Sequence, residues 1–195
     1  MPPGDLRTHR LRLTPLTAST SAAAARGDVG TLARLLGVRV PPEWPPIDLA
    51  DVQGLLAEKL AAHPEEAGWW GWYVILESGP EGGPELIGSA GCTRWGSGGT
   101  LHFGYGLLPA FFGRGLATEA ATALMAWVVA QPGVDRVEAT TFERHRASVK
   151  ILQRCGFVDQ GVSPGDGDAA ESDRQGRGAL HLFVWSRSPA SGASA

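Results

Sequence analysis

The residues best suited to chemistry are two glycines that flank an arginine, Gly113-Arg114-Gly115, between an apolar stretch and a long helical pattern. The first turn of a helix has backbone N–H groups without internal partners, and the helix dipole adds partial positive charge there. Glycines let a bulky anion approach these N–H groups closely, and Arg114 adds a fixed positive charge. The sequence therefore predicts a ligand that carries a diphosphate, held at the start of this helix.

Two common phosphate-binding motifs do not fit this segment. A phosphate-loop kinase or GTPase needs Lys-Ser or Lys-Thr after the second glycine, but Leu116 and Ala117 stand there. A dinucleotide-binding fold favours a third glycine at the position of Thr118. A tight strand-to-helix turn without any ligand is the remaining alternative.

Hydrophobic periodicity gives the elements that must position this turn. It predicts strands over residues 10–16, 69–77, 85–93, 101–108, 136–142, 157–162 and 180–185, and helices over residues 17–26, 29–36, 49–63, 116–131 and 147–155. Asp48 or Asp51 is expected to cap the helix of residues 49–63. Residues 1–9 are expected to form a flexible leader, residues 10–187 one domain, and residues 188–195 a disordered tail, and the polar segment 163–178 is expected to be mobile.

Two blocks of this chain resemble a known family. Residues 113–120 (GRGLATEA), preceded by Phe103-Gly104-Tyr105, are similar to the acetyl-CoA-binding motif of the Gcn5-related N-acetyltransferase (GNAT) superfamily. Residues 147–157 (ASVKILQRCGF) resemble the A-S-x-x-x-L-x-x-x-G-F helix of its ribosomal-protein N-terminal acetyltransferase branch, which is RimJ/RimL-like. The resemblance implies a single-domain α/β (α+β) fold: a mixed, mostly antiparallel sheet of about seven strands flanked by helices, with splayed central strands.

The resemblance also implies how acetyl-CoA would be bound. Backbone N–H groups from Gly113 to Thr118 would hold the diphosphate, and the strand edge at Leu107 and Leu108 would pair with the pantetheine arm. This chain has Phe112 where the family usually has Gln or Arg, and His145 where it usually has Asn. The cofactor-binding residues expected on this basis are Leu107, Leu108, Phe112, Gly113, Arg114, Gly115, Leu116, Ala117, Thr118, His145 and Ser148.

Amide formation from a thioester needs a base for the amine and an acid for the departing thiolate. Strand alternation puts His102, Gly104 and Gly106 on one face, and a histidine at a hollow face suits a base near neutral pH. Ser148 matches the serine of the second block and is the candidate acid, ahead of Tyr105, which alternation places on the core face. A structural histidine and a helix-capping serine are the alternative interpretations.

Composition restricts the class of protein. A net charge of −3 gives no electrostatic basis for binding nucleic acid or an anionic membrane surface, and no segment approaches the length of a membrane span. The two cysteines and five histidines show no metal-binding spacing, so no metal site is expected, and a reduced cytoplasmic location is the simpler interpretation. Exposed end hairpins permit a homodimer.

The resemblance thus implies an N-acetyltransferase that moves an acetyl group from acetyl-CoA to a primary amine by direct attack in a ternary complex. The acceptor is either a protein N-terminus or a small-molecule amine. The related branch commonly has Glu where His102 stands. This replacement and those at positions 112 and 145 leave a catalytically silent acyl-CoA-binding module as an alternative. A nucleotide-binding regulatory domain is a second alternative.

Overall fold

The computed structural model describes residues 3–46, 49, 51–94, 100–163 and 178–187. Within these residues the strands are β1 (Leu6–Arg7), β2 (Leu11–Pro15), β3 (Trp72–Leu76), β4 (Glu85–Arg94), β5 (Leu101–Leu107), β6 (Arg136–Phe142), β7 (Val158–Val162) and β8 (Leu180–Ser186). The helices are α1 (Ala18–Ala25), α2 (Val29–Leu36), α3 (Gln53–Ala62), α4 (Leu116–Val129) and α5 (Arg146–Arg154).

All eight strands form one sheet in the order β1-β2-β3-β4-β5-β6-β8-β7. Every neighbouring pair is antiparallel except β5 and β6, which run parallel because α4 connects them as a crossover. The predicted mixed, mostly antiparallel α/β fold is confirmed. The additional strand is β1, where Leu6 pairs with Leu13 of β2. It lies within residues 1–9, for which the sequence predicts a flexible leader.

The parallel pair β5–β6 is joined only at its start. Leu101 pairs with Val137 and His102 with Glu138, and no further pair follows although β5 continues to Leu107 and β6 to Phe142. The two strands therefore diverge after His102, as the family resemblance implies. We call this opening the β5–β6 split.

The sheet is covered on both faces. All five residues of β3 are buried, with Trp72, Val74 and Leu76 in one hydrophobic core and Tyr73 and Ile75 in the other. Such a strand reads as a continuous apolar run rather than as an alternation. The tryptophan-rich stretch at residues 69–77 therefore contributes to the cores on both faces of the sheet.

Helix boundaries agree with the sequence prediction to within a few residues, with one incorrect cap. Thr17 caps α1 by accepting from the Thr20 N–H, as predicted for a hydroxyl cap. The N-cap of α3 is Val52, which makes no side-chain hydrogen bond. Asp51 therefore does not cap this helix, because a turn in which the Val52 N–H donates to the Leu49 carbonyl comes first, and Asp48 lies outside the described residues.

The remaining expectations concern residues that are partly outside the description. The segment predicted to be mobile is described only at residue 163 and residue 178, and the predicted tail, residues 188–195, lies outside. No helix among the described residues is long and apolar enough to cross a lipid bilayer. The same residues contain no group of three or more potential metal-ligating side chains.

Candidate active site

The turn before α4 exposes a row of backbone amides. Gly113 and Gly115 both have left-handed backbones, with φ of 73° and 74°, and Gly115 is the N-cap of α4. A Cβ added at Gly113 would meet no atom within 4 Å. Among the hydrogen bonds of the described residues, none is donated by the backbone N–H groups of residues 113–118. These amides, which we call the amide cradle, are open to an anionic ligand.

The N-terminal hairpin fixes this turn from behind. Glu119, in the first turn of α4, accepts from Thr8 Oγ1 at 2.6 Å and from the Arg10 backbone N–H at 2.8 Å. The Arg10 guanidinium contacts Glu119 Oε2 through Nε at 2.8 Å and Nη2 at 2.7 Å. Its Nη1 donates to the carbonyl oxygen of Arg114 at 2.9 Å. Arg10 therefore ties α4 and the glycine turn to the β1–β2 hairpin.

The same contacts control the charge beside the cradle. Burial opposes ionisation of Glu119, but the hydrogen bonds from Thr8 and Arg10 and the Arg10 charge outweigh it, so the pKa of Glu119 is lowered. A lone carboxylate near a helix N-terminus would repel a diphosphate. Because Arg10 neutralises Glu119, the positive end of the α4 dipole can still attract an anion.

Three of the sequence-predicted side chains are exposed around the cradle. Arg114 is exposed, and its guanidinium lies 5.8 Å from the centre of the Phe111 ring. Phe112 is 63% exposed next to the cradle. His145 is the N-cap of α5, is exposed and makes no side-chain capping bond. The predicted cofactor contacts of Phe112 and His145 stay predictions.

The backbone of β5 presents one free edge to the split. The Leu108 N–H donates to the Ile87 carbonyl at 2.8 Å, and the Leu108 carbonyl accepts from the Phe111 N–H at 3.0 Å. Backbone groups alternate sides along a strand, so those of Leu107 and Tyr105 point away from β4 and into the split. Of the two residues predicted to pair with a ligand, only Leu107 therefore has backbone groups directed into the split; those of Leu108 are already hydrogen-bonded.

Tyr105 and Ser148 meet across one side of the split. The Tyr105 hydroxyl lies 2.9 Å from Ser148 Oγ and 3.3 Å from the Ser148 carbonyl oxygen, at the first turn of α5. Burial raises the pKa of Tyr105 to about 12, so its hydroxyl is protonated at neutral pH. Tyr105 does face the core side, as alternation predicts, but α5 begins on that side. The two hydroxyls therefore form one hydrogen-bonded pair.

The opposite face of β5 lines a cleft of about 400 Å³ beneath α3, which we call the α3 cleft. His102, Gly104 and Gly106 all line it, as the alternation predicts. His102 stands opposite Glu138 of β6, at the last pair before the strands diverge. No hydrogen bond to its ring is found among the described residues. The candidate base thus lies where the α3 cleft and the β5–β6 split meet.

Some of the tryptophans pack in the hydrophobic cores, and one lines the α3 cleft. Trp69 and Trp72 pack around Trp127 at centroid distances of 5.1 and 5.2 Å, and Trp44 packs on Tyr73. Trp70 alone of the tryptophans in the described residues lines the α3 cleft. Sequence reasoning missed the contacts of Thr8 and Arg10 with Glu119. It ranked Tyr105 below Ser148 and did not foresee the hydrogen bond between them.

An amide cradle at a helix start and two splayed strands beside it together match the arrangement that the family resemblance implies. A family model described as an acetyltransferase (GNAT) domain matches residues 10–158. The chain therefore belongs to the GNAT acetyltransferase family and is an N-acetyltransferase.

Individual relatives agree with this assignment. The chain is 25% identical over 155 residues to the uncharacterized N-acetyltransferase YjdG of Bacillus subtilis (strain 168), covering 78% of this chain and 89% of YjdG. An acetyltransferase structure from Agrobacterium tumefaciens (strain C58) aligns with a TM-score of 0.61 at 20% identity over 96% of both chains. RimL, a ribosomal L7/L12 alpha-N-protein acetyltransferase solved with coenzyme A, aligns with a TM-score of 0.58 at 14% identity over 93% of this chain and 97% of RimL. The RimL fold is that of the branch which the second sequence block resembles.

Proposed function

We propose that this chain transfers the acetyl group of acetyl-CoA to a primary amine by direct attack in a ternary complex. The observation that carries the proposal is the β5–β6 split, which runs from the amide cradle past the Tyr105–Ser148 pair to His102. One ligand with a diphosphate at one end and a thioester at the other suits such a path. Membership in the family and the coenzyme A named for RimL support acetyl-CoA as that ligand.

Binding would rest mainly on backbone groups. The cradle amides of residues 113–118 would hold the diphosphate, with Arg114 beside them as an exposed positive charge. Leu107 offers its backbone groups to an extended amide chain in the way that a further strand would. These contacts need no particular side chain at Phe112, which explains how the usual Gln or Arg can be absent there.

The chemistry divides between the two faces of β5. His102 would accept the proton that the amine loses as its nitrogen bonds to the acetyl carbon. The carbon–sulfur bond then breaks, and the thiolate takes a proton from Ser148, which Tyr105 can resupply through their hydrogen bond. Because the pKa of Tyr105 is raised to about 12, its hydroxyl is protonated at neutral pH and regains from solvent any proton that it passes to Ser148.

The acceptor is a primary amine on a protein N-terminus or on a small molecule. The name of RimL, an alpha-N-protein acetyltransferase, and the resemblance of residues 147–157 to its branch support a protein N-terminus. The α3 cleft is where either acceptor would lie, since His102 opens into it.

The test measures release of free thiol from acetyl-CoA with a panel of primary amines and peptides, together with coenzyme A affinity by calorimetry. Amine-dependent thiol release with coenzyme A binding is the expected result. Tight coenzyme A binding without turnover for any amine would favour the silent acyl-CoA-binding module. ATP or NAD binding more tightly than coenzyme A would favour a nucleotide-binding regulatory domain.

A further inference from the structure

The two walls of the α3 cleft differ in chemistry. The wall formed by α3 and the segment before it is aliphatic, with Leu49, Val52 and Leu55 half-buried and facing the space. The opposite wall is the β4–β5 surface, where Gly91 pairs with Gly104 and Ser89 with Gly106. The second wall is thus nearly free of side chains at its centre.

The glycine wall is open at Gly104, whereas a Cβ at Gly91 would lie 3.4 Å from the Gly71 Cα. A Cβ placed at Gly104 would meet no atom within 4 Å, so nothing from the protein fills the space above this residue. Gly104 lies in β5 with an ordinary strand backbone, since its φ is outside the left-handed region. The glycine is therefore not required by the backbone, and its missing side chain leaves room for a ligand.

The lining carries almost no charge. Among the described residues that line the cleft, His102 is the one basic side chain, and no carboxylate, lysine or arginine lines it. A polycation would lose hydration at each ammonium group without gaining an acidic partner, which is costly in a partly enclosed site. A single amine that becomes neutral before reaction avoids that cost.

Trp70 supplies an aromatic surface held in place from outside the cleft. Its indole N–H donates to Glu66 Oε2 at 2.7 Å, and the Lys59 ammonium lies 5.8 Å from the ring centre. Two contacts thus fix the ring, which lines the cleft as a rigid apolar surface. A flat ring packs well between an indole, aliphatic side chains and glycine backbone.

We infer that the acceptor is a primary amine carried next to an aromatic side group, which lies in the α3 cleft between the aliphatic and the glycine walls while the amine reaches His102. This inference rests on the proposed function and names its substrate class. A cavity of ~150 Å³ lined by aliphatic groups holds a benzene ring. The cleft of about 400 Å³ therefore has room for a ring and the short chain that bears the amine.

The test titrates the coenzyme A complex with phenethylamine, ethylamine and spermidine by calorimetry, and measures kcat/KM for each with acetyl-CoA. Phenethylamine is expected to bind roughly 10- to 100-fold more tightly than ethylamine, from burial of one aromatic group. Spermidine is expected to be no better than ethylamine. Spermidine binding as tightly as phenethylamine, or more tightly, would overturn the inference, whether or not any amine is acetylated.

Two peptides that differ only in their first residue, phenylalanine or serine, distinguish the source of the acceptor. A preference for the phenylalanine peptide over phenethylamine identifies a polypeptide source, and the reverse identifies a small molecule. Equal kcat/KM for the two peptides together with no preference for phenethylamine would refute the aromatic class. Acetylation of any amine in that case still supports the proposed function, whereas the absence of all turnover counts against it.

Gly104→Val fills the cleft with a residue that strands favour. We expect a drop of at least about 10-fold in phenethylamine affinity, of the size that burying the ring supplies, with unchanged coenzyme A affinity. Gly54→Ala, on the exposed side of α3, is the matched control and should change neither affinity. Leu55→Ala on the opposite wall is a second variant, expected to weaken phenethylamine binding roughly 5-fold. Unchanged phenethylamine affinity in folded Gly104→Val or in Leu55→Ala would contradict the inference.

Discussion

Arg10→Met is the substitution that most directly tests the role of the N-terminal hairpin in coenzyme A binding. Arg10 neutralises Glu119 and also donates to the Arg114 carbonyl within the glycine turn. Methionine has a similar length but provides neither the charge nor the hydrogen bonds. Both losses act in one direction: the turn loses a fixing contact, and the Glu119 carboxylate faces the diphosphate without a counter-charge.

The expected loss can be divided into these two parts. Two unit charges ~8 Å apart at an effective dielectric constant of ~40 repel by about 1 kcal/mol, so two phosphate charges meet about 2 kcal/mol from Glu119. The lost hydrogen bond to the Arg114 carbonyl adds up to about 1 kcal/mol. Together these reduce coenzyme A affinity by about 2–3 kcal/mol, or roughly 30- to 150-fold. The double variant Arg10→Met with Glu119→Gln removes the repulsion and should retain only a roughly 5-fold loss.

Calorimetry with coenzyme A at two salt concentrations measures these parts separately. The electrostatic part should shrink at 1 M salt, where the Debye length is ~3 Å instead of ~8 Å at physiological ionic strength. Arg12→Met is the control, because Arg12 lies two residues further along the same hairpin, in β2, but pairs with Glu77 and Asp5. An Arg10→Met affinity within about 3-fold of the wild type, or an equal loss in Arg12→Met, would show that the hairpin does not organise the cradle.

Substitutions at the candidate base, at the hydroxyl pair and at the glycine turn test the remaining roles. His102→Gln should lower kcat by about 10²- to 10⁴-fold at unchanged coenzyme A affinity if this residue is the base, and an unaltered kcat would remove it from that role. Tyr105→Phe and Ser148→Ala should each slow the chemical step, measured by single-turnover kinetics, and the double variant should be little slower than either because the hydroxyls act together; independent effects would contradict the pair. Because the pKa of Tyr105 is raised to about 12, the protonated hydroxyl stabilises the fold fully below pH ~10, and this stabilisation is lost as the pH rises through about 12. In denaturant titrations the wild type should therefore lose stability relative to Tyr105→Phe only above pH ~10. Gly115→Ala and Gly133→Ala introduce a side chain at the same left-handed φ and should each cost about 1–2 kcal/mol of unfolding free energy, but only Gly115→Ala should weaken coenzyme A binding; equal affinities would argue against the cradle.

Local patterns in the sequence predict most of the fold. The alternation of β5, the uninterrupted helical pattern of α4 before Pro132 and the hydroxyl cap at Thr17 each depend on neighbouring residues, and each was predicted. The short strand β1 was not predicted, because a strand of two residues gains its stability from its partner strand. The predicted helix of residues 49–63 begins four residues before α3 does. A single turn and the first turn of a helix place apolar residues at the same spacing, so the sequence pattern does not separate them.

The candidate site is predictable only where its geometry is local. Gly113 and Gly115 identify the cradle because left-handed glycines next to a helix start follow from the sequence alone. The contacts of Arg10 with Glu119 and of Tyr105 with Ser148 join residues that are distant in the chain. Only the packing of the hairpin and of α5 against the strands brings those groups together, so composition and spacing give no sign of them.

The pairing of β5 with β6 divides the sheet into two parts, whose strands are hydrogen-bonded to each other only around Leu101–Val137 and His102–Glu138. We call these parts plates and the short pairing between them a seam. Few hydrogen bonds resist a change in the angle between such plates, and points near the apex of an angle move least when it changes. His102 lies at that apex, whereas Leu107 and the glycine turn lie toward the wide end. Flexing at this seam would therefore move the glycine turn more than it moves His102, the proposed proton acceptor.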